Sequence, residues 1–212
     1  MIRAVFFDFD GTLFDTEPDI LAAYRTTFSS WGLDASQIFI GPPMAEAIRA
    51  IRPEISDEDL AAVGKEFIAN YDGAGFPNTN PYNGVAEMLG KLAAKGVILA
   101  IATNKRTGPT RTILQAHGMD GIFRELFTCD SDPVRKPTKT RHLINAMQAW
   151  GLAPEECVMV GDTELDIQAG KGAGCRTVGV SWGYGKNGEP ARSMPDRMID
   201  DPPALVQVID EL

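Results

Sequence analysis

The 212 residues, 44% of them hydrophobic and 23% charged, are enough for a sizeable core and exclude a disordered or fibrous chain. A formal net charge of -9 argues against nucleic acid or an anionic membrane surface as a partner, and obliges any site for an anion to gather its own cations. No stretch approaches the roughly 20 apolar residues of a membrane span.

The opening residues, MIRAVFFDFDGT, read as neither a signal nor a transit peptide. Residues 2–9 form an apolar, aromatic-rich run ended by Asp10-Gly11, too short for a helix and suited to a strand buried on both faces. The interval 16–81 offers helical spacing at 20–31, 44–52 and 57–71 but no convincing buried strand, and is predicted to be an inserted helical subdomain. Residues 73–83 (GAGFPNTNPYN), dense in Gly, Pro and Asn, read as its return hinge.

Beyond the hinge, a helix is predicted over 85–95, a strand over 97–102 and another helix from near Thr107. Helix 140–150 then precedes strand 158–160, and helix 166–171 precedes strand 177–180. Gly96, Gly151 and Gly172 or Gly174 stand at the C-terminal caps. Strand and helix alternate, which predicts an α/β fold: a doubly wound parallel sheet with helices on both faces and ligands at the carboxyl ends of the strands. The expected domains are a core of 1–15 and 82–212 and a helical cap of 16–81. Cys129, Cys157 and Cys175 are odd in number and lack a CxxC pair, so they read as reduced thiols in a cytoplasmic protein.

Four segments at strand ends carry chemistry. In an extended segment Asp8 and Asp10 share a side, and two such carboxylates repel unless a cation intervenes. Asp-Gly is also a common turn pair. Thr103 and Asn104 follow the strand 97–102 and can donate to phosphate oxygens, or merely cap the next helix. Arg135-Lys136-Pro137 precedes a helix; Lys136 can neutralise an anion there, or be a solvated basic spot. Asp162 emerges at a strand end with Asp166 one helical turn later, so the two acids can flank one hard cation or complement a helix dipole.

Taken in order, DFDGTLFDT, ATNK, RKP and GDTELDIQAG resemble the four motifs of the haloacid dehalogenase superfamily, and the helical insert resembles its small cap. The length, residues 40–43 (IGPP) and the segment VGVSWGYG resemble its phosphoglycolate phosphatase-like group. The resemblance implies a Rossmann-like core and a magnesium-dependent phosphatase acting on a small phosphorylated metabolite as monomer or homodimer. Asp8 would be the nucleophile that becomes a phosphoaspartate, and Asp10 the general acid and base. Magnesium would be held by Asp8, the Asp10 backbone carbonyl and Asp162, with Asp166 supporting the metal shell. Lys136, Thr103 and Asn104 would hold the phosphoryl group.

Dehalogenases of the superfamily lack the second acid of the DxD pair, so Asp10 points to phosphate chemistry. A β-phosphoglucomutase-type phosphoryl transfer is the alternative, and a non-catalytic phospho-acceptor signalling module a remote one, since receiver domains lack both the DxD partner and a cap. Gly41, Pro42, Met44, Arg49 and Arg52 are candidates for substrate selection, Arg being suited to a carboxylate. Asp15 and Thr16 read as hinge or capping residues, and residues 182–185 (WGYG) as a tight loop or, alternatively, part of the rim of the site. His117, His142, Trp31 and Trp150 read as structural.

Overall fold

A computed structural model describes residues 1–38, 44–132, 134–135, 137–185 and 189–212. The chain divides into two compact units, Met1–Asp15 with Pro81–Leu212, and Thr16–Asn80.

In the first unit, β1 (Ala4–Phe7) lies at the centre of a sheet ordered β5-β4-β1-β6-β7-β8, with every pairing parallel. Its neighbours are β4 (Ile98–Ala102) and β6 (Cys157–Gly161), in register so that Phe7 stands opposite both Ile101 and Val160. All four β1 residues are buried, as a central strand covered on both faces requires. From β1 the winding runs outward through β4 to β5 (Glu125–Phe127), then crosses to β6 and continues through β7 (Arg176–Val180) to β8 (Arg197–Ile199). The direction of winding therefore reverses at β1, and the crevice outside the carboxyl ends of β1, β4 and β6 is where such a sheet binds ligands.

The crossing helices are α4 (Val85–Ala94), α5 (Thr107–Ala116), α6 (Lys139–Trp150) and α7 (Glu164–Ala173). Thr138 caps α6 by accepting the Arg141 amide, and Gly151 ends it at φ +64°. Gly174 rather than Gly172 closes α7. Trp150 stacks on Phe6 at 5.5 Å, in a core that also holds Leu143, Met147, Cys157, Met159 and Cys175. Burying a side chain as large as Phe6 contributes about 2–3 kcal/mol. Cys129, Cys157 and Cys175 are free thiols. Two further short helices, α8 (Glu189–Arg192) and α9 (Ala204–Glu211), lie in the C-terminal part, and β2 (Phe14–Asp15) and β3 (Asn80–Pro81) form a separate two-stranded pair.

The second unit contains α1 (Glu17–Trp31), α2 (Met44–Ile51) and α3 (Asp57–Ala74) around Tyr24, Phe28, Ile48, Ile55 and Val63. Ser56 caps α3 by accepting the Asp59 amide. Trp31 packs against this core and donates its indole N–H to Glu66 at 2.8 Å. Asp19 is buried, and its carboxylate accepts from the Asn78 amide and side chain and from the Thr79 hydroxyl. Among the described residues no helix is long and apolar enough to cross a membrane.

Candidate active site

The ladder of β1 runs one residue past the strand, because the Asp8 amide donates to the Val160 carbonyl at 2.9 Å. Asp8 is thereby delivered between the ends of β4 and β6. The chain then turns at Gly11, whose φ of +80° favours glycine, and a Cβ there would lie 2.3 Å from Asp162 Oδ2. That close approach lets the Thr12 hydroxyl donate to Asp162 Oδ1 at 2.9 Å. The first motif is thus closed directly onto the loop after β6.

Asp162 and Asp166 are both fully buried. Asp166 Oδ2 accepts from the Thr163 amide at 3.1 Å and hydroxyl at 2.7 Å, which ties it to the start of α7. Gly161 makes the room, since a Cβ there would meet Asp166 Cβ at 2.2 Å. Between the acids stands Lys139, the first residue of α6, with Nζ 2.5 Å from Asp166 Oδ1 and 3.1 Å from Asp8 Oδ1.

One ligand oxygen from each of Asp8, Asp162 and Asp166 falls within 4.8 Å of the others. Burial pushes the Asp8 carboxyl up to about 6, with Asp166 and Asp10 acting in the same direction against Lys139. Burial also pushes Asp162 up to about 8, reinforced by Asp8 and Asp166. Burial alone would lower the Lys139 ammonium, but Asp166 and Asp8 outweigh it and hold the group above its ordinary range.

This donor set fits a hard divalent cation. It is all oxygen, and among the described residues the enclosed Asp8 Oδ1 accepts no well-formed hydrogen bond despite Lys139 at 3.1 Å. Among the described residues, four carboxylates, Asp8, Asp10, Asp162 and Asp166, face two ammonium groups, Lys105 and Lys139, an excess of negative charge that suits a cation.

At the end of β4, Thr103 is buried, and its hydroxyl accepts from the Lys105 amide at 3.2 Å. Lys105 Nζ donates to Asp10 Oδ1 at 2.9 Å. Asn104, between them in sequence, is exposed.

A further wall comes from the loop after β7. The Tyr184 amide donates to Asp162 Oδ2 at 2.7 Å, the Tyr184 hydroxyl to Asp15 Oδ1 at 3.0 Å, and the Trp182 indole N–H to the Thr12 carbonyl at 3.1 Å. Side chains at Gly183 and Gly185 are excluded, because a Cβ would lie 2.3 Å from the Gly11 carbonyl or 2.0 Å from the Asp162 carbonyl. Residues 182–185, read from sequence as a tight loop or the rim of the site, therefore orient an acid of the cluster.

Of the residues picked from sequence, Asp8, Asp162 and Asp166 come together, Asp10 and Thr103 border them, and Asn104 lies at the surface. Lys136, Gly41 and Pro42 lie outside the described residues. Arg49 pairs with Asp57 inside its own unit, and its guanidinium donates to the Ile55 carbonyl at 3.5 Å. Lys139 and Lys105 were missed as site residues. A signal for Lys139 existed in its position just inside the Thr138 cap of α6, three residues beyond Lys136. His117 and His142 pack at 5.4 Å on Phe14 and Phe127, and burial holds His142 below its ordinary range.

Residues 5–180 match the family described as haloacid dehalogenase-like hydrolase. The chain is 34% identical over 223 residues to a phosphoglycolate phosphatase of Vibrio vulnificus, covering 99% of this chain and 95% of the relative. It is 33% identical over 215 residues to a pyrophosphatase of Halalkalibacterium halodurans, covering 98% and 97%. A crystal structure of a predicted phosphoglycolate phosphatase from Haemophilus somnus is similar with a TM-score of 0.87 at 29% identity, covering 98% of this chain and 97% of that one.

Proposed function

The chain belongs to the haloacid dehalogenase-like hydrolase family, and on that premise we propose that it hydrolyses small phosphomonoesters through a phosphoaspartate on Asp8. The observation that carries this reading is the buried Asp8 carboxylate, with its under-bonded Oδ1, set among Lys139, Asp162 and Asp166.

An Asp8 oxygen attacks phosphorus and the ester oxygen departs. Each pair of like unit charges at 4 Å opposes that approach by about 4 kcal/mol at an effective dielectric near 20. We assign the offsetting ammonium to Lys139, which touches Asp8, in place of Lys136. Asp10 gives its proton to the departing alkoxide. It then takes one from the water that cleaves the acyl phosphate, returning Asp8 to a carboxylate. The Thr103 hydroxyl and the Asn104 amide are assigned to the phosphoryl oxygens. A magnesium ion held by Asp8, Asp162, Asp166 and the Asp10 backbone carbonyl would supply positive charge between the two anions.

Phosphoglycolate is the favoured substrate, on the names of the relatives at about a third identity. Pyrophosphate is the second reading, on the relative from Halalkalibacterium. We assign substrate selection to the unit Thr16–Asn80, as a cap, and the free thiols fit a cytoplasmic setting. The test is phosphate release from phosphoglycolate, pyrophosphate and sugar phosphates, with magnesium and with EDTA. Release from phosphoglycolate that EDTA abolishes is expected. Activity indifferent to EDTA would remove the metal, and isomerisation of a sugar phosphate without net release would assign a mutase.

A further inference from the structure

Lys105 has no part in the steps above, yet its side chain is only 5% exposed. A buried ammonium costs several kcal/mol unless it is matched, and an apolar side chain of similar length would fill the space without that cost. An ion pair in this position is therefore weak evidence of a stabilising role. Its backbone is fixed on both sides: the amide donates to Thr103 Oγ1 at 3.2 Å, and the carbonyl accepts from the Cys129 amide at 3.3 Å. From that base Nζ stands 5.8 Å from the centre of the Phe9 ring and donates to Asp10 Oδ1 at 2.9 Å. Asp10 itself is 22% exposed at its side chain.

We propose that Lys105 is a positioning residue for Asp10: by occupying Oδ1 it fixes the rotation of the carboxyl group and leaves Oδ2 as the oxygen that exchanges the proton. Oδ1 accepts from the ammonium whether or not Oδ2 carries a proton, so the grip persists through both half-reactions. In the first, the proton on Oδ2 passes to the departing alkoxide oxygen as the bond from phosphorus to that oxygen breaks. In the second, Oδ2 takes a proton from water as the water oxygen bonds to phosphorus and the acyl phosphate bond breaks. Lys105 gains and loses nothing. The inference rests on the reading of Asp10 as general acid and base.

The experiment compares two esters by kcat/KM, which reports the steps up to transfer of the phosphoryl group to Asp8. The group leaving phosphoglycolate is an alkoxide that needs the proton, whereas the group leaving p-nitrophenyl phosphate is a stable phenolate that does not. Lys105→Met is expected to lose about 100-fold on phosphoglycolate and less than about threefold on the aryl ester, within the range of general acid catalysis. Asp10→Asn should show the same selectivity, and the double variant should be within about twofold of Asp10→Asn alone. Lys105→Arg, which keeps the ion pair, should return the phosphoglycolate rate to within about tenfold of the parent and serves as the readout if Lys105→Met fails to fold. Equal losses on both esters, or losses that multiply with Asp10→Asn, would overturn the assignment and make Lys105 a direct contact of the phosphoryl group. A parent that releases phosphate from neither ester would sink the phosphatase reading instead.

Discussion

Each unit of the molecule buries carboxylate, and does so on different terms. In Thr16–Asn80, Asp19 is enclosed at the start of α1 and satisfied locally, with the Asn78 amide at 3.0 Å, its side-chain amide at 2.9 Å and the Thr79 hydroxyl at 2.8 Å. In the α/β unit, Asp8, Asp162 and Asp166 are enclosed together, one oxygen has no well-formed hydrogen bond among the described residues, and Asp8 and Asp162 are pushed above the carboxylate range by burial and by neighbouring acids. The first arrangement closes a turn. The second stores electrostatic repulsion at the carboxyl ends of β1 and β6, which is what a site built to accept a cation looks like before the cation is counted.

The sharpest way to break this contrast is to neutralise the nucleophile. Asp8→Asn is expected to lower phosphate release by about 10⁴-fold or more while leaving the melting temperature unchanged or higher, because a repelling charge is removed. Activity within tenfold of the parent would remove Asp8 from the mechanism. Lys139→Met strips the cluster of an ammonium that is 8% exposed at its side chain. It should cost about 3–5 kcal/mol in denaturant titrations without metal, as breaking a buried pair does, and should also lower turnover. If Lys136→Met has these effects and Lys139→Met has neither, the cation belongs to the earlier lysine.

Asp19→Ala leaves buried donors unmatched. It should cost about 1–3 kcal/mol of stability, with kcat on p-nitrophenyl phosphate close to that of the parent. Asp162→Asn should cost less than that in the absence of metal, since the Thr12 hydroxyl can reverse its role and the amide oxygen can still accept from Tyr184. Equal losses at the two positions would erase the distinction.

The same contrast should also show in the dependence of stability on pH. Asp8 and Asp162 keep protons in the folded chain at pH values where the unfolded chain, near 3.8, has lost them. The folded state then binds more protons, so stability without metal falls as pH rises from about 4 to about 8 and levels off above. Melting curves across that range check the sign. Magnesium, which binds the ionised acids, should raise the melting temperature more at pH 8 than at pH 5.

What was legible in the sequence follows from the same physics. Strands β1, β4, β6 and β7 are covered on both faces, so they read as continuous apolar runs. β5 and β8 are the edges, three residues each and partly exposed, and leave no such run. The acids were legible because DxDGT and GDxxxD put them where strands stop. Lys139 was less legible, because RKPTK offers two lysines, at 136 and 139, and nothing in the sequence marks the second as the one that reaches Asp8. Tyr184 was invisible for a different reason: its backbone amide, which any residue but proline supplies, holds Asp162.

Calorimetric titration of magnesium into the parent and into Asp162→Asn at pH 8 tests the central claim most directly. One ion is expected to bind per parent chain, with affinity reduced at least about tenfold in the folded variant. A parent that takes up no magnesium, or a variant that binds it equally well, would contradict the account.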